Sequence, residues 1–407
     1  MTSLPTPPVG RDAAEAFVDR HLGHLVCDEV AGSSSFVGGQ TAADAALAGF
    51  DVAGYASRRN EVLPASRRGA SRLSPYIRHG LLTLPQVWRH VAGGPRRDVD
   101  KFRDELMWQE YARHWYARLG TRTARGVRHE LPHRSPGAVD DLLARDLACL
   151  DTTRSELERD GWLVNQTRMW LSSHWSIRND GPWPDGEDYF FRHLLDGSRA
   201  ANRLGWQWVT GAGSSKPYSF SRRQVERRAP GLCDGCDLRH DCPISGWPDT
   251  PELEPSTRPE RLRRDPTPER TAGPERPVVA RTPDVVWLTA ESLGCDDPAL
   301  SAHPDLPVVF VFDEPLLARL QLSSKRLVFL TETLAEIGAA RSLELHLGSP
   351  GAVLADRDLA VTFAPVPGFR RLVDRLGPAE LRPWPWLRRP SSGPVTSFSA
   401  WRRALRH

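Results

Sequence analysis

The 407-residue sequence is nearly without lysine: of its 54 basic residues, only Lys101, Lys216 and Lys325 are not arginine. Methionine is also scarce, at three residues. No run of about 18 apolar residues occurs, which excludes a helical membrane span. The opening stretch MTSLPTPPVGRDAAEAF lacks a basic start followed by an apolar segment, so a cytoplasmic protein without a secretory leader is expected. No G-x-G-x-x-G loop is present, which argues against a nicotinamide cofactor. No internal repeat is visible. Net charge is only +3, so bulk charge does not announce a nucleic-acid partner. The arginine bias and 35 prolines fit a GC-rich coding bias. Arginine also suits phosphate recognition, because its planar fork makes paired hydrogen bonds.

What the chain has in excess is tryptophan. There are 14, and ten lie between Trp88 and Trp247. Trp206 and Trp208 stand one residue apart, just after Asn202 and Arg203.

Three regions follow from pattern. Residues 1–248 read as helical, with apolar residues at helical spacing in ALAGFDVAGYASRR, LSPYIRHGLLTLPQVWRHV, KFRDELMWQEYARHWYARL and VNQTRMWLSSHWSIR. Asp180-Gly181-Pro182 stops the last of these. Residues 249–283 are dense in Pro, Arg and Glu and read as an extended or disordered linker. Residues 284–366 alternate short β-rich runs (DVVWL, PVVFVF, LELHLG, LAVTFA) with helical stretches, which argues for a parallel sheet covered by helices. Residues 367–407 form a tail without a readable fold. The fold class is multidomain α and α/β: an all-helical N-terminal domain and a C-terminal Rossmann-like α/β domain.

Five blocks in order, YASRRN, SRLSPYIRHG, FRDELMWQEYARH, GWLVNQTRM and DGEDYFFRHLLDGSRAANRLGWQW, resemble the FAD-binding helical domain of the photolyase/cryptochrome family. VVWL, DDPALSAH, PVVFVFDEPLL and SSKRLVFLTETLAEI resemble that family's α/β antenna domain. The order is reversed here, since the family's α/β domain comes first. Separately cored domains tolerate such shuffling at exposed termini.

The resemblance implies roles for particular residues. Tyr55, Ser71 and Ser74 would contact FAD, the serines at its phosphates. Arg168 and Asp196 would pair over the flavin ring, and Asn202 would face flavin N5. Glu105, Trp108, Asn165, Met169 and Trp208 would form the pocket for a cyclobutane pyrimidine dimer in UV-damaged DNA, with the two indoles stacking on the flipped-out bases. Trp206 and Trp183 would begin an electron relay to the flavin. No tryptophan stands between Gly120 and Ala148, where the relay's outer member is expected, and Trp175 or Trp115 would have to substitute. Gln109 and Gln166 stand where many relatives carry arginine, which predicts weaker DNA affinity. The implied activity is light-driven dimer repair by a monomer. A blue-light photoreceptor without repair activity and a redox flavoprotein with a metal cluster are the alternatives.

Cys233 and Cys236 form a C-x2-C pair followed by Cys242-Pro243, a pattern akin to iron–sulfur ligand runs. Cys149 upstream supplies a fourth thiol, in an arrangement similar to the iron–sulfur bacterial photolyases. A [4Fe-4S] cluster on these four, a zinc site completed by His240, and free or redox-active thiols all remain open. In the α/β region the family's arginine-rich turn reads TAESLGC, so the identity of an antenna chromophore is not legible.

Overall fold

The protein is described by a computed structural model over residues 2–131, 137–248 and 253–405. Its sheet contains β1 (Thr2–Leu4), β2 (Val278–Val279), β3 (Val285–Leu288), β4 (Val308–Asp313), β5 (Leu343–Gly348), β6 (Leu359–Thr362) and β7 (Glu380–Arg382), in the spatial order β1-β5-β4-β3-β6-β7-β2. β3 to β7 run parallel, while β1 and β2 pair antiparallel at the two edges. The central strands VVWL and LAVT are buried at every position, and VVFVFD at all but its last. Parallel strands need this, because helices cover both faces. Strand order reverses at β3, where β4 lies on one side and β6 on the other. Open α/β sheets place their ligand crevices at the carboxyl ends of strands beside such a reversal.

Three strands of this sheet lie outside the stretch 284–366. β1, β2 and β7 have two or three residues each, too short to show an alternating pattern. Their place is set by register alone: Leu4 opposite Leu345, Val279 opposite Glu380. Helix α1 (Arg11–Leu22), which patterning groups with the helical region, packs on α8 (Ser324–Ala340) of the α/β region. Arg11 bonds Glu332 there at 2.5 Å. Phe17, Phe36, Tyr76 and Trp162 share one core with Phe312 and Phe329, so the two regions are joined by packed side chains.

The remaining helices that shape the site are α2 (Ser74–Arg78), α3 (Arg96–Leu119), α4 (Ala148–Asp160), α5 (Asn165–Ser173), α6 (Trp183–His193) and α7 (Arg199–Thr210). The block LSPYIRHGLLTLPQVWRHV is broken after α2. Gly80 takes a left-handed φ of 69°, and a Cβ there would lie 2.6 Å from the carbonyl oxygen of Glu291.

The expected linker is largely ordered where it is described; residues 249–252 lie outside the described residues. Glu254–Pro255 pairs with His129–Glu130, and Pro268–Ala272 is helical. The anchor is polar: buried Asp265 accepts from Thr271 Oγ1 at 2.6 Å and pairs with Arg118 at 3.3 Å. A segment pinned by ion pairs has the composition of a disordered one, which is why its order was not legible. The tail is also placed. It contains α9 (Pro367–Leu376), β7 and α10 (Phe398–Ala404), and runs back along α3.

That docking depends on neutral buried groups. His114 is pulled down to about 3, chiefly by burial, so it is uncharged. Its Nδ1 accepts from Trp401 Nε1 at 3.0 Å, and Nε2 donates to the Arg388 carbonyl at 2.6 Å. Glu110 is fully buried and accepts from Arg388 N at 2.7 Å. Burial lifts its carboxyl from 4.5 to about 7, against the opposing pull of Arg113. The native chain therefore holds a proton here that the unfolded chain has lost. That contribution is complete below the unfolded value and disappears as pH rises through about 7. Melting temperature should fall as pH rises from about 5 to about 7.5 in the wild type, and Glu110→Gln should flatten this part of the profile.

Candidate flavin cavity and cysteine site

Helix α3 has three working faces. Val99, Phe102 and Leu106 enter the core shared with the sheet. Met107, Tyr111 and Trp115, at i, i+4 spacing, enter a second core under the tail. Glu105, Trp108, Gln109, Ala112, Arg113 and Tyr116 form the third face, and all border a cavity of about 1450 Å³. This exceeds the ~300–1,000 Å³ usual for a small-molecule site. The cavity runs from the helical region to the carboxyl ends of β3, β4 and β6, where Glu291, Asp313 and Pro365 line it.

The structure brings nearly all the expected flavin and substrate residues to this one cavity. Tyr55, Ser71, Ser74, Arg168, Asp196 and Asn202 line it, together with Glu105, Trp108, Asn165, Met169, Trp206 and Trp208. Trp183 is not among the lining residues; it is buried at the start of α6. Arg168 Nη2 bonds Asp196 Oδ2 at 2.7 Å. Ser74 Oγ accepts from Trp162 Nε1 at 3.0 Å. Glu105 is held by Lys101 at 2.7 Å and Arg59 at 3.3 Å. Trp206 and Trp208, two apart on α7, point to different sides, as helical spacing requires. Trp206 is 2% exposed and Trp208 44%.

Two features were not foreseen. Phe398 of α10 stacks on Trp108, with ring centres 3.9 Å apart and planes at 12°, so one face of this indole is already covered. Arg326 of α8 is buried and donates to the carbonyl of Leu194, and both it and Arg199 lie over the Phe191 ring, at 4.8 and 4.0 Å. Burial draws its guanidinium down to about 9. No local motif marks either contact, since each joins residues more than 130 positions apart or lies in the tail. Gln166 is buried and donates to the Tyr218 hydroxyl at 3.1 Å, whereas Gln109 borders the cavity. Asp297 of DDPALSAH caps a helix start by accepting from the amides of Ala299 and Leu300.

Comparison with known proteins finds similarity in the helical part of the chain. Residues 147–228 match the model of the FAD binding domain of DNA photolyase. The chain is 29% identical over 192 residues to a deoxyribodipyrimidine photo-lyase of Synechococcus, covering 43% of this chain and 39% of that one. It is 31% identical over 179 residues to that of Salmonella typhimurium, covering 40% and 37%. The helical part of the chain thus resembles the photolyase/cryptochrome family, most closely over residues 147–228. The chain spans less than half the length of these curated photolyases. Among solved structures, a class III photolyase of Agrobacterium tumefaciens overlaps 46% of this chain and 42% of its own at 25% identity, with a TM-score of 0.42. A Synechocystis cryptochrome overlaps 48% and 44% at 19% identity, with a TM-score of 0.44.

The cavity's donor set fits the FAD that a photolyase FAD-binding domain takes. Asp196 Oδ1 and the Asn202 side-chain amide are buried without a protein partner, although both residues border the cavity. Buried polar atoms are seldom left unpaired, and a heteroaromatic ring with donors and acceptors on its edge would satisfy them.

Cys149, Cys233, Cys236 and Cys242 are unbridged; Cys149, Cys233 and Cys242 pack in or on a separate core that includes Trp170, Phe220 and Ile244. Cys149, in α4, is pushed up to about 12, first by burial and then by the charges of the other three. Arg178 lies near Cys242 and Cys149, and its guanidinium holds the loop through the carbonyls of Phe220, Pro243 and Gly246. Among the described residues these sulfurs do not form a set of three or more within 4.8 Å of one another, as a single bound ion would need. His240, the alternative zinc ligand, is exposed and accepts from Arg239 at 3.1 Å. A second donor group, Cys27, Asp28 and His193, lies at the junction of the two regions. Asp28 is already engaged there by Ser323 Oγ, Ser324 N and Lys325 Nζ, so it serves the start of α8.

Gly186 of α6 passes beneath the Trp206 ring, and a Cβ there would lie 2.2 Å from it. Gly186→Ala should therefore lower stability by about 1–3 kcal/mol despite its better helix propensity. Urea unfolding, followed with the flavin content of the purified variant, checks this.

Proposed function

We propose that this chain binds FAD in the cavity and uses blue or near-UV light to split cyclobutane pyrimidine dimers in DNA. The observation that carries the reading is that Glu105, Trp108, Asn165, Met169 and Trp208 border the same cavity as Arg168, Asp196 and Asn202. Bound and reduced, FAD supplies the photoexcited electron that such a cleavage needs. The remaining work falls to the chain. Trp208, nearly half exposed at the mouth, offers an indole face to a flipped-out base. Glu105, steadied by Lys101 and Arg59, offers its carboxyl group to the dimer's polar edge. The Arg168–Asp196 pair fixes the polar wall against which the ring would lie. The apolar lining excludes water from the reacting centre.

The Phe398–Trp108 stack favours a second reading, a light sensor without repair activity, because it covers one face of an indole that repair would use. The cysteine site is proposed to hold a [4Fe-4S] cluster. Iron and acid-labile sulfide in anaerobically purified protein, both lost in Cys236→Ser, support it; stoichiometric zinc without iron overturns it.

The central test is repair of UV-irradiated oligothymidine by chemically reduced, flavin-loaded protein, followed by the returning thymine absorbance. Recovery in the light only is expected, and Glu105→Ala should lower its yield roughly tenfold or more with flavin content unchanged. A reduced, flavin-loaded wild type that restores no thymine points to the sensor.

A further inference from the structure

The rings behind Trp206 form a column that ends at a proton acceptor. Among the ring pairs of the described residues, Trp206 meets Phe190, which is hard to oxidise, and Trp175. The Trp175 ring stands edge-on to Trp206, with centres 6.3 Å apart and planes at 89°. Trp175 then stacks on Tyr189 at 6.1 Å and 18°, and Tyr189 packs on His193 at 4.7 Å. Trp175 is 2% exposed and rigidly held. It sits in a π-helical turn, His174–Arg178, that continues α5, and its Nε1 donates to the Pro182 carbonyl at 2.9 Å. Such turns re-aim side chains and recur at functional sites. The Tyr189 hydroxyl donates to Glu158 at 3.3 Å. Glu158 is partly exposed and ion-paired with Arg145 at 2.5 Å and Arg154 at 2.8 Å, which holds its carboxyl below the usual range and so ionised, leaving it an acceptor for a group as acidic as an oxidised phenol.

We infer that charge leaves the cavity along Trp206, Trp175 and Tyr189, with Glu158 as proton acceptor, and that Trp183 is not on this route. The inference rests on the reading that FAD occupies the cavity. In the light, Trp206 loses one electron to oxidised flavin. Trp175 refills Trp206, and Tyr189 refills Trp175. An oxidised phenol is strongly acidic, so Tyr189 releases its proton to Glu158 and becomes a neutral radical. A thiol in solution then returns one electron to Tyr189, Glu158 returns the proton, and the thiol is oxidised. Each transfer joins neighbouring rings, which matters because electron tunnelling weakens steeply with distance. Trp175, Tyr189 and Glu158 act through Trp206 and are relay residues.

The test is light-driven reduction of the oxidised flavin in the full chain with dithiothreitol, together with radical detection by flash absorption and electron paramagnetic resonance. Trp175→Phe should slow the reduction by at least about tenfold, and Trp183→Phe should leave it unchanged. Tyr189→Phe, which removes only the hydroxyl, should abolish the tyrosyl signal and leave a tryptophan radical. Glu158→Gln should lower the tyrosyl yield while the chain still folds and binds flavin. Repair by chemically reduced protein should be the same in all four variants, which a merely structural defect would not allow. Loss of photoreduction in Trp183→Phe with retention in Trp175→Phe overturns the route and leaves the flavin reading standing. A wild type that releases no flavin on denaturation overturns the flavin reading and the route with it.

Discussion

Helix α3 is the constraint on which the rest of the molecule depends. Its 24 residues serve two apolar cores and one wall of the cavity at once. A helix with three occupied faces has no freedom to rotate, because a turn that improved one contact would break the other two. Glu105 and Trp108 are therefore positioned by Phe102, Leu106, Tyr111 and Trp115, none of which needs to touch a ligand. The tail completes this arrangement. Its buried bonds to Glu110 and His114 hold α10 against the helix, and Phe398 reaches the face of Trp108 from there.

The helical and α/β regions are also locked together by charge. Arg326 extends from α8 into the carbonyls at the end of α6, and Arg78 bonds Glu291 at 2.6 Å just beyond β3. A buried guanidinium must find acceptors or become very costly. The ends of α6 and β3 supply them, and this fixes how the carboxyl edge of the sheet faces the cavity. The two crevices merge into one large space for that reason.

Much of the helical part was legible. The ordered blocks around Tyr55, Ser71, Trp108, Met169 and Trp206 are local in sequence, and helical periodicity places Trp108, Met169 and Trp206 on predictable faces. Long buried strands such as VVFVFD were legible too, because every residue is apolar. Short elements were not. β1, β2 and β7 carry no pattern, and the Pro- and Arg-rich segment is ordered by Asp265 and Arg118, which composition cannot distinguish from solvated charges. The neighbour of Trp206 was hidden for a related reason: a π-turn shifts helical phase at Trp175, so ordinary spacing does not predict where its ring points.

By itself the sequence determined which side chains are available and how they are spaced locally, because residue types and local spacing survive any arrangement of the domains. It also determined the two fold classes, since hydrophobic period differs between a covered sheet and a helix. Only the tertiary structure decided that strands from both ends join one sheet, that the cavity reaches its carboxyl edge, and that Phe398 lies on Trp108. These contacts join residues hundreds of positions apart, and their energy comes from burial and paired charges that exist only once the chain has closed on itself.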